Sequence, residues 1–516
     1  MSNWDHGYVT DIVYTSNFYR ECTPSWMAAG SLMLGHRAPD LSKPFRYVDF
    51  GCAHGYTAIL VAACHPNAEV WGFDFNPAHI ESARNLAARA GLTNAHFEEA
   101  SFADLLARPA TALPEFDFAV AHGILSWISP DNQRALTQLL GRSLRPGGMA
   151  YLSYNVLTGW SPMVPLRALM HMLSDASPER TDLGVAGVLD MLDRMKAAGA
   201  GFFGANPAIE NRLKDMRQHD PRYIAHEYLN RDWHPMMHAD VADLMREARM
   251  SYVGSSTLSE NIDAVSVPQG MVQLLADAKD QRLRETLRDF GSGQGFRRDL
   301  YRKGVGIIPA PEHQRLLLDQ RIGWTGQVAG EQIQISTPMG QLTGRPEIYR
   351  PLLAMLEAGP ISIGQAFERE PFSGRSLLEL LQAATLLIAG GFAHPMAQGG
   401  MSAQARASAA GLNRAAAENC RLGGDISRLA LPGAGTALGV DLLECLAAGE
   451  LLAGKPAQLA PLTDAVSAAL AASGRSVQRE GKVVSDAAEA RKILSDALQA
   501  FLDKRAPLLR TMGALD

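Results

Sequence analysis

The residues of this chain that could do chemistry fall at the ends of short apolar runs. Val48-Asp49-Phe50-Gly51-Cys52-Ala53-His54-Gly55 closes one run with an acid and puts small residues at 51, 53 and 55, ahead of a helical stretch from Tyr56 to Cys64. Small residues at that spacing let the backbone turn sharply and let a ligand approach it. Gly72-Phe73-Asp74 closes a second run with a carboxylate, followed by Phe75. In an open α/β sheet an acid at that tip takes ribose hydroxyls. Ser101 and Phe102 follow a third run and offer an adenine ring a short polar contact and an apolar face. A fourth run, Phe116 to Ala121, leads into His122-Gly123 and Trp127, and a fifth ends in Tyr154-Asn155. His122 titrates near neutrality and suits a general base or an orienting group for an acceptor; the alternative is a strand cap stacked on a nucleoside. Trp127 suits a wall against an aliphatic or cationic group, or a place in the core. Asn155 and Tyr154 can accept hydrogen bonds from an amine, and the leader adds Tyr14 and Tyr19 as phenols aimed inward from a lid, the alternative being an amphipathic helix that packs its aromatics on the sheet.

Two nucleotides compete for such a crevice. A dinucleotide site needs G-x-G-x-x-G, but the chain reads Gly51, Ala53 and Tyr56. Asp49 is awkward beside a pyrophosphate and suits the ammonium of S-adenosylmethionine (SAM). D-x-G-x-A-x-G followed by Asp74 therefore resembles the class I SAM-dependent methyltransferase signature. On this reading Tyr14, Asp49, Phe50, Gly51, Cys52, Ala53, Gly55, Asp74, Phe75, Ser101, Phe102, His122 and Gly123 bind SAM, whose product is S-adenosylhomocysteine. His122, Trp127, Tyr154, Asn155 and Tyr19 face the acceptor.

The elements that must position these residues alternate in type. Strands are predicted at 46–50, 69–73, 95–98, 116–121 and 149–154, with helices at 56–64, 77–90, 101–107 and 131–144, which means βαβ units and a parallel sheet. Helical periods follow at 163–176, 181–200 and 206–217. A helix at 239–249 and strands at 251–258 and 296–301, with a helical excursion at 268–290, predict an antiparallel edge. The expected fold is α/β: a Rossmann-like, seven-stranded class I methyltransferase domain with helical insertions, then a mostly helical, winged-helix-like C-terminal domain. The expected divisions are an aromatic lid at 1–40, the SAM-binding core at 41–165, a helical insertion and regulatory region with the last core strands at 166–305, a winged-helix-like domain at 306–395 and an Ala/Leu-rich helical region at 396–516. Residues 396–428 read as a linker or a loosely packed helix.

A chain of 516 residues predicts two to four domains. Its 48 basic and 54 acidic residues leave a charge of −6, which makes no case for nucleic acid. Five scattered cysteines, odd in number and without C-x-x-C, point to a reducing compartment and away from structural zinc. His219, His226, His234 and His238 lack a metal-ligand pattern, and methyl transfer from a sulfonium needs no metal. The start lacks the basic and apolar regions of a signal peptide, and the longest apolar run, 383–393, is too short for a membrane span. A cytoplasmic location is expected.

Longer motifs narrow the resemblance. His122-Gly123-Ile124-Leu125-Ser126-Trp127 and Ser153-Tyr154-Asn155-Val156-Leu157-Thr158-Gly159-Trp160 resemble the HG-x-x-SW and SYN-x-x-x-GW motifs of bacterial class I methyltransferases that carry a methyltransferase regulatory domain. Tyr14 to Glu21 with Thr23-Pro24 is similar to that family's leader. Ala225-His226-Glu227-Tyr228-Leu229 and Phe296-Arg297-Arg298-Asp299-Leu300 resemble its regulatory-domain motifs. The likeness is good over roughly 8–305 and looser beyond, and Ala53 departs from it by replacing the middle glycine. The resemblance implies a protein-lysine methyltransferase, acting on a protein substrate such as an outer-membrane protein before export, with a homodimer among the assemblies it allows. Two other readings stay open. One is methylation of a small molecule, such as a sugar or natural-product intermediate, which a deep pocket closed by the leader and insertions would favour over an open groove. The other is a non-catalytic SAM-binding regulatory protein.

Overall fold

Seven strands, β1 (Phe45–Phe50), β2 (Ala68–Asp74), β3 (Ala95–Glu99), β4 (Phe116–Ala121), β5 (Leu144–Asn155), β6 (Met250–Ser255) and β7 (Phe296–Lys303), form one sheet in the order β3-β2-β1-β4-β5-β7-β6. The computed structural model describes residues 17–176, 181–397, 400–424, 426–479 and 482–515. β1 to β5 run parallel, and β7 lies antiparallel between β5 and β6. This is the predicted Rossmann-like sheet with its antiparallel edge. Every residue of β4 is buried, as is all of β1 except Arg46. Strands covered on both faces carry such nearly continuous apolar runs.

Helices α1 (Pro24–Met33), α2 (Tyr56–Cys64), α3 (Pro77–Arg89), α4 (Phe102–Ala107) and α5 (Pro130–Ser143) accompany the first five strands. Local chemistry sets their starts. Asn76 caps α3 by accepting from the Ala78 N–H at 3.0 Å, with Pro77 in the first turn. Ser129 does the same for α5 through Asn132, ahead of Pro130. α1 is buried at nine of its ten positions. Trp26 there donates its indole N–H to the Ser256 carbonyl at 2.9 Å, so this part of the expected lid is an internal strut.

The insertion after β5 supplies α6 (Val164–Asp175), α7 (Thr181–Ala197), α8 (Ala208–Met216), α9 (Pro221–Tyr228) and α10 (His238–Glu247). Between β6 and β7 lie α11 (Gln269–Asp277) and α12 (Gln281–Ser292), where the helical excursion was expected. Farther on, α13 (Ala310–Asp319), α14 (Pro346–Ala358) and α15 (Leu377–Ala389) pack with a strand at 321–324 that pairs with 361–362 and 393–395, and a hairpin joins 333–337 to 340–344.

The stretch read as a linker or a loosely packed helix forms the helix α16 (Ala403–Arg421), and it packs closely, burying nine residues. Ala409, Leu412 and Ala415 share one apolar cluster with the α2 residues Ala58 to Cys64. Asn413 fixes the helix by donating to the carbonyls of Ala430 and Ala514 at 3.2 and 3.0 Å and accepting from the Ala430 N–H at 2.7 Å. Ala-rich composition here permits close approach: a side chain at Gly411 would run into the Ala90 carbonyl oxygen. α2 is buried at every position. A helix apolar all round needs cover on both sides, and here the sheet lies on one side and α16 on the other.

Candidate functional site

A cavity of about 600 Å³ opens at the carboxyl ends of β1, β2, β4 and β5. Its floor is the turn after β1. The N–H groups of Gly51 and Cys52 both donate to the Phe73 carbonyl, at 2.7 and 3.0 Å. Gly51 sits at φ +77°, where a side chain would strike Ile124, and Gly55 at φ +68°, where one would lie 2.6 Å from Phe97. Both conformations favour glycine. Ala53 adopts the same region, at φ +47°, and its N–H donates to Asp74 at 2.9 Å.

Asp49, Gly51, Cys52, Ala53, Asp74, Phe75, Ser101, Phe102, His122 and Gly123 all line the cavity. The Asp49 carboxyl receives no hydrogen bond from any described residue. Burial, then the nearby charge of Asp74, push its pKa up to about 7. Asp74 is already engaged, by the N–H groups of Ala53 and Asn76 at 2.9 Å each and by His79 at 3.2 Å. Ser101 is likewise committed: its hydroxyl caps α4 in a reciprocal pair with Asp104. Gly55 holds the turn from behind as the first cap of α2. Phe50 is corrected: it faces away, stacked 6.0 Å from Phe73 in the core beneath, because alternate residues of a strand point to opposite faces. Tyr14 lies outside the described residues.

At the acceptor end, Tyr19, His122, Trp127 and Asn155 line the same cavity. Tyr19 stacks on His122 with ring centres 3.6 Å apart. The His122 Nδ1 lies 2.8 Å from the Tyr151 hydroxyl and 3.3 Å from Ser153. Burial holds the Tyr151 phenol protonated, and which partner donates across the 2.8 Å contact follows the imidazole tautomer. Burial, with Arg298 nearby, lowers the His122 pKa to about 3. A neutral imidazole so held orients and packs; it is a poor base for an ammonium. Asn155 anchors its backbone N–H on Ser126 at 2.8 Å, while its buried Nδ2 finds no acceptor among the described residues.

Tyr154 is corrected. The strand alternation that turns Tyr151, Ser153 and Asn155 toward the cavity turns Tyr154 away. Its hydroxyl donates to Asp299 at 2.6 Å, with His238 at 3.3 Å. There it joins a buried ionic cluster in which the Arg297 guanidinium reaches Asp289 at 2.6 Å, and Asp299, Glu285 and the Tyr252 hydroxyl at 2.7 to 2.9 Å.

The roof comes from the leader, where Tyr19 was expected to aim inward, and from the insertion, whose spacing carries no site signal. Asn17 and Tyr19 reach in from the leader, Trp160 from just after β5, Arg212 from α8, and Tyr223, His226 and Glu227 from α9. The segment Ala225 to Leu229 stood out only as a family motif. Arg212 lies 4.1 Å over the Trp160 ring and donates to the Gly159 carbonyl at 3.2 Å. Burial pushes the Glu227 pKa up to about 7, against the pull of Arg167. His219, His226, His234 and His238 are not gathered, and among the described residues no cluster of three or more potential metal ligands forms. No described helix is long and apolar enough to cross a membrane.

Residues 41–235 match the methyltransferase domain family, and residues 220–303 match the family described as "predicted methyltransferase regulatory domain". Protein sll1526 of Synechocystis sp. is 32% identical over 510 residues, 99% of each chain. A trans-aconitate 2-methyltransferase of Methylobacterium radiotolerans is 33% identical over 170 residues, 33% of this chain and 58% of its own. Among solved structures, PKMT2 from Rickettsia typhi in complex with AdoHcy aligns over 97% of this chain and 99% of its own, with a TM-score of 0.69 at 18% identity, a likeness of fold.

Proposed function

We propose that this chain, which belongs to the family of class I methyltransferases carrying a methyltransferase regulatory domain, N-methylates lysine side chains of a protein substrate. Its activity as a SAM-dependent methyltransferase follows from the family; the acceptor is our reading of the cavity. The residues present suit SAM. Asp49, buried and without a donor, would take the ammonium, and Asp74 keeps lone pairs for ribose hydroxyls beyond those used by Ala53, Asn76 and His79. Phe75 and Phe102 offer apolar faces beside them. Bound there, SAM supplies a methyl group made electrophilic by a cationic sulfur.

One observation carries the lysine reading. With His122, the aromatic rings of Tyr19, Trp127, Trp160 and Tyr223 line the cavity, and two lining residues, Asn17 and Tyr223, are exposed at the surface. An aromatic lining that reaches the surface suits a slender aliphatic stem tipped by a cation. The chain's own work is then to hold that stem in line and to exclude water beneath the roof. The motif resemblance and the whole-length likeness to PKMT2 support the same acceptor class, and by that resemblance an outer-membrane protein before export is the substrate we favour.

A second reading has its own support. Leader and insertion both close over the cavity, and Arg212 and Arg298 line it, so a small carboxylate-bearing acceptor would find counter-charges. The deciding experiment supplies labelled SAM to host lysate and separates macromolecular from small-molecule fractions. Label in protein that hydrolyses to methyl-lysine is the expected result. Label confined to the small fraction would replace lysine with a metabolite.

A further inference from the structure

We propose that Glu227 binds the acceptor ammonium and takes its proton, which makes this cavity selective for primary alkylamines; the proposal rests on the methyl-transfer site and the lysine reading described above. Two carboxyl groups line the cavity and receive no hydrogen bond from any described residue, Asp49 and Glu227. A carboxylate out of bulk water that accepts no hydrogen bond is costly, so each position suits a cation from outside the chain, for Glu227 in addition to the pull of Arg167. SAM brings one ammonium, matched by Asp49 at the cofactor end. Glu227 stands on α9 in the roof and has no such match within the cofactor.

Its surroundings place it at the acceptor end. The charge of Glu227 is felt by the phenols of Tyr19 and Tyr223, and the Tyr19 ring lies 3.6 Å from His122, at the tip of β4. The cations nearby are committed. Arg167 donates to the Asn230 carbonyl and lies 4.9 Å over the Trp233 ring. Arg212 holds the Gly159 carbonyl, and Arg298 reaches the Thr257 hydroxyl at 3.3 Å and lies over Phe296. Each guanidinium thus makes at least one polar or ring contact, although the buried Nε atoms of Arg167 and Arg298 find no acceptor among the described residues, while the Glu227 carboxyl accepts no hydrogen bond from any of them.

Proton balance follows. An alkylammonium gives one proton to the Glu227 carboxylate, leaving a neutral amine and a carboxylic acid. The nitrogen lone pair then forms the N–C bond as the methyl–sulfur pair passes to sulfur. The product methylammonium keeps the single positive charge of the acceptor, and the proton on Glu227 is the one released to water. The groups facing Glu227 are Tyr19 from the leader, Arg167 from α6, and Tyr223 and Tyr228 on its own helix, with His226 beside it. Burial lifts Tyr19 and Tyr223 to about 12 and leaves Arg167 at about 10. Glu227, at about 7, is poised to accept the proton near neutral pH.

The test compares wild type, Glu227→Gln and Glu227→Asp, with labelled SAM and lysate protein as the probe and methyl-lysine as the readout. SAM affinity of the Gln variant should stay within about threefold, showing an intact fold, while methyl-lysine formation at neutral pH falls at least a hundredfold. The rising limb of the wild-type pH profile should move from near 7 toward the free amine's range near 10, and the Asp variant should recover part of the rate. A Gln variant that keeps its rate within threefold would overturn the role of Glu227 alone. A Gln variant whose SAM affinity falls tenfold or more would assign the carboxyl to the cofactor and also overturn it. No methyl-lysine from wild type would overturn the lysine reading, and this proposal with it.

Discussion

Asp49 makes cofactor affinity a function of pH with a defined sign. Its carboxyl is pushed up to about 7, so below that pH the empty site holds a proton that an incoming ammonium must displace. Affinity for SAM should rise by up to about tenfold per pH unit toward pH 7, and weaken again as the ligand's own α-amino group loses its proton near 8. Calorimetry across buffers should find close to one proton released per SAM at pH 5.5; a flat profile would detach Asp49 from the ammonium. Asp49→Asn should abolish the rise. A second residue-scale expectation concerns Ala53, an alanine at φ +47°. The left-handed region costs an L-residue roughly 1–2 kcal/mol, against roughly 0.5–1 kcal/mol for the greater freedom of glycine when unfolded. Ala53→Gly should therefore stabilise by up to about 1 kcal/mol, read by denaturant titration, with SAM affinity nearly unchanged.

At the scale of elements, the Arg297 cluster ties β5, β6, β7, α10 and α12 through Tyr154, Tyr252, Asp299, His238, Glu285 and Asp289. Burial pushes the Asp299 and Glu285 carboxyls up, and Arg297, helped by Arg288 at Glu285 and by His238 and Tyr154 at Asp299, outweighs it, so both sit below the usual range. Arg297→Leu leaves buried carboxylates unpaired and should cost about 3–5 kcal/mol. Because those two folded-state pKa values are depressed, their share of the stability is present above about pH 4 and lost as pH falls below it. Thermal melts of wild type and variant should thus converge in acid, and a gap that persists there would place the cost in packing. The sequence showed β7 as a strand but not this cluster, since it joins residues from 154 to 299. Apolar runs made the sheet legible, and Asp49, Gly51 and Asp74 stood out because their roles depend on local turns. The facing of Tyr154 and Phe50 was missed for want of strand phase. Glu227 and Tyr223 were missed because only tertiary folding carries α9 over the β4 tip.

The chain as a whole closes on itself, with its last quarter completing the first domain. Tyr56 donates to the Arg428 carbonyl at 3.0 Å, and Ser25 to the Ala434 carbonyl at 2.9 Å. Truncation after residue 397 should strip α16 from α2 and abolish SAM binding even though every cavity-lining residue remains. A truncated chain that binds SAM with native affinity would show the sheet to be self-sufficient. Composition hid this dependence, because an Ala- and Gly-rich stretch looks the same whether it drifts or packs closely. The double cover of α2 also has a meaning in time. At roughly 5–20 residues per second, α16 leaves the ribosome about 20–70 s after the helix it must cover. Through that interval the nascent chain carries an apolar helix directly behind the cofactor turn with one face bare, so its need for a chaperone should peak just before the last hundred or so residues are made.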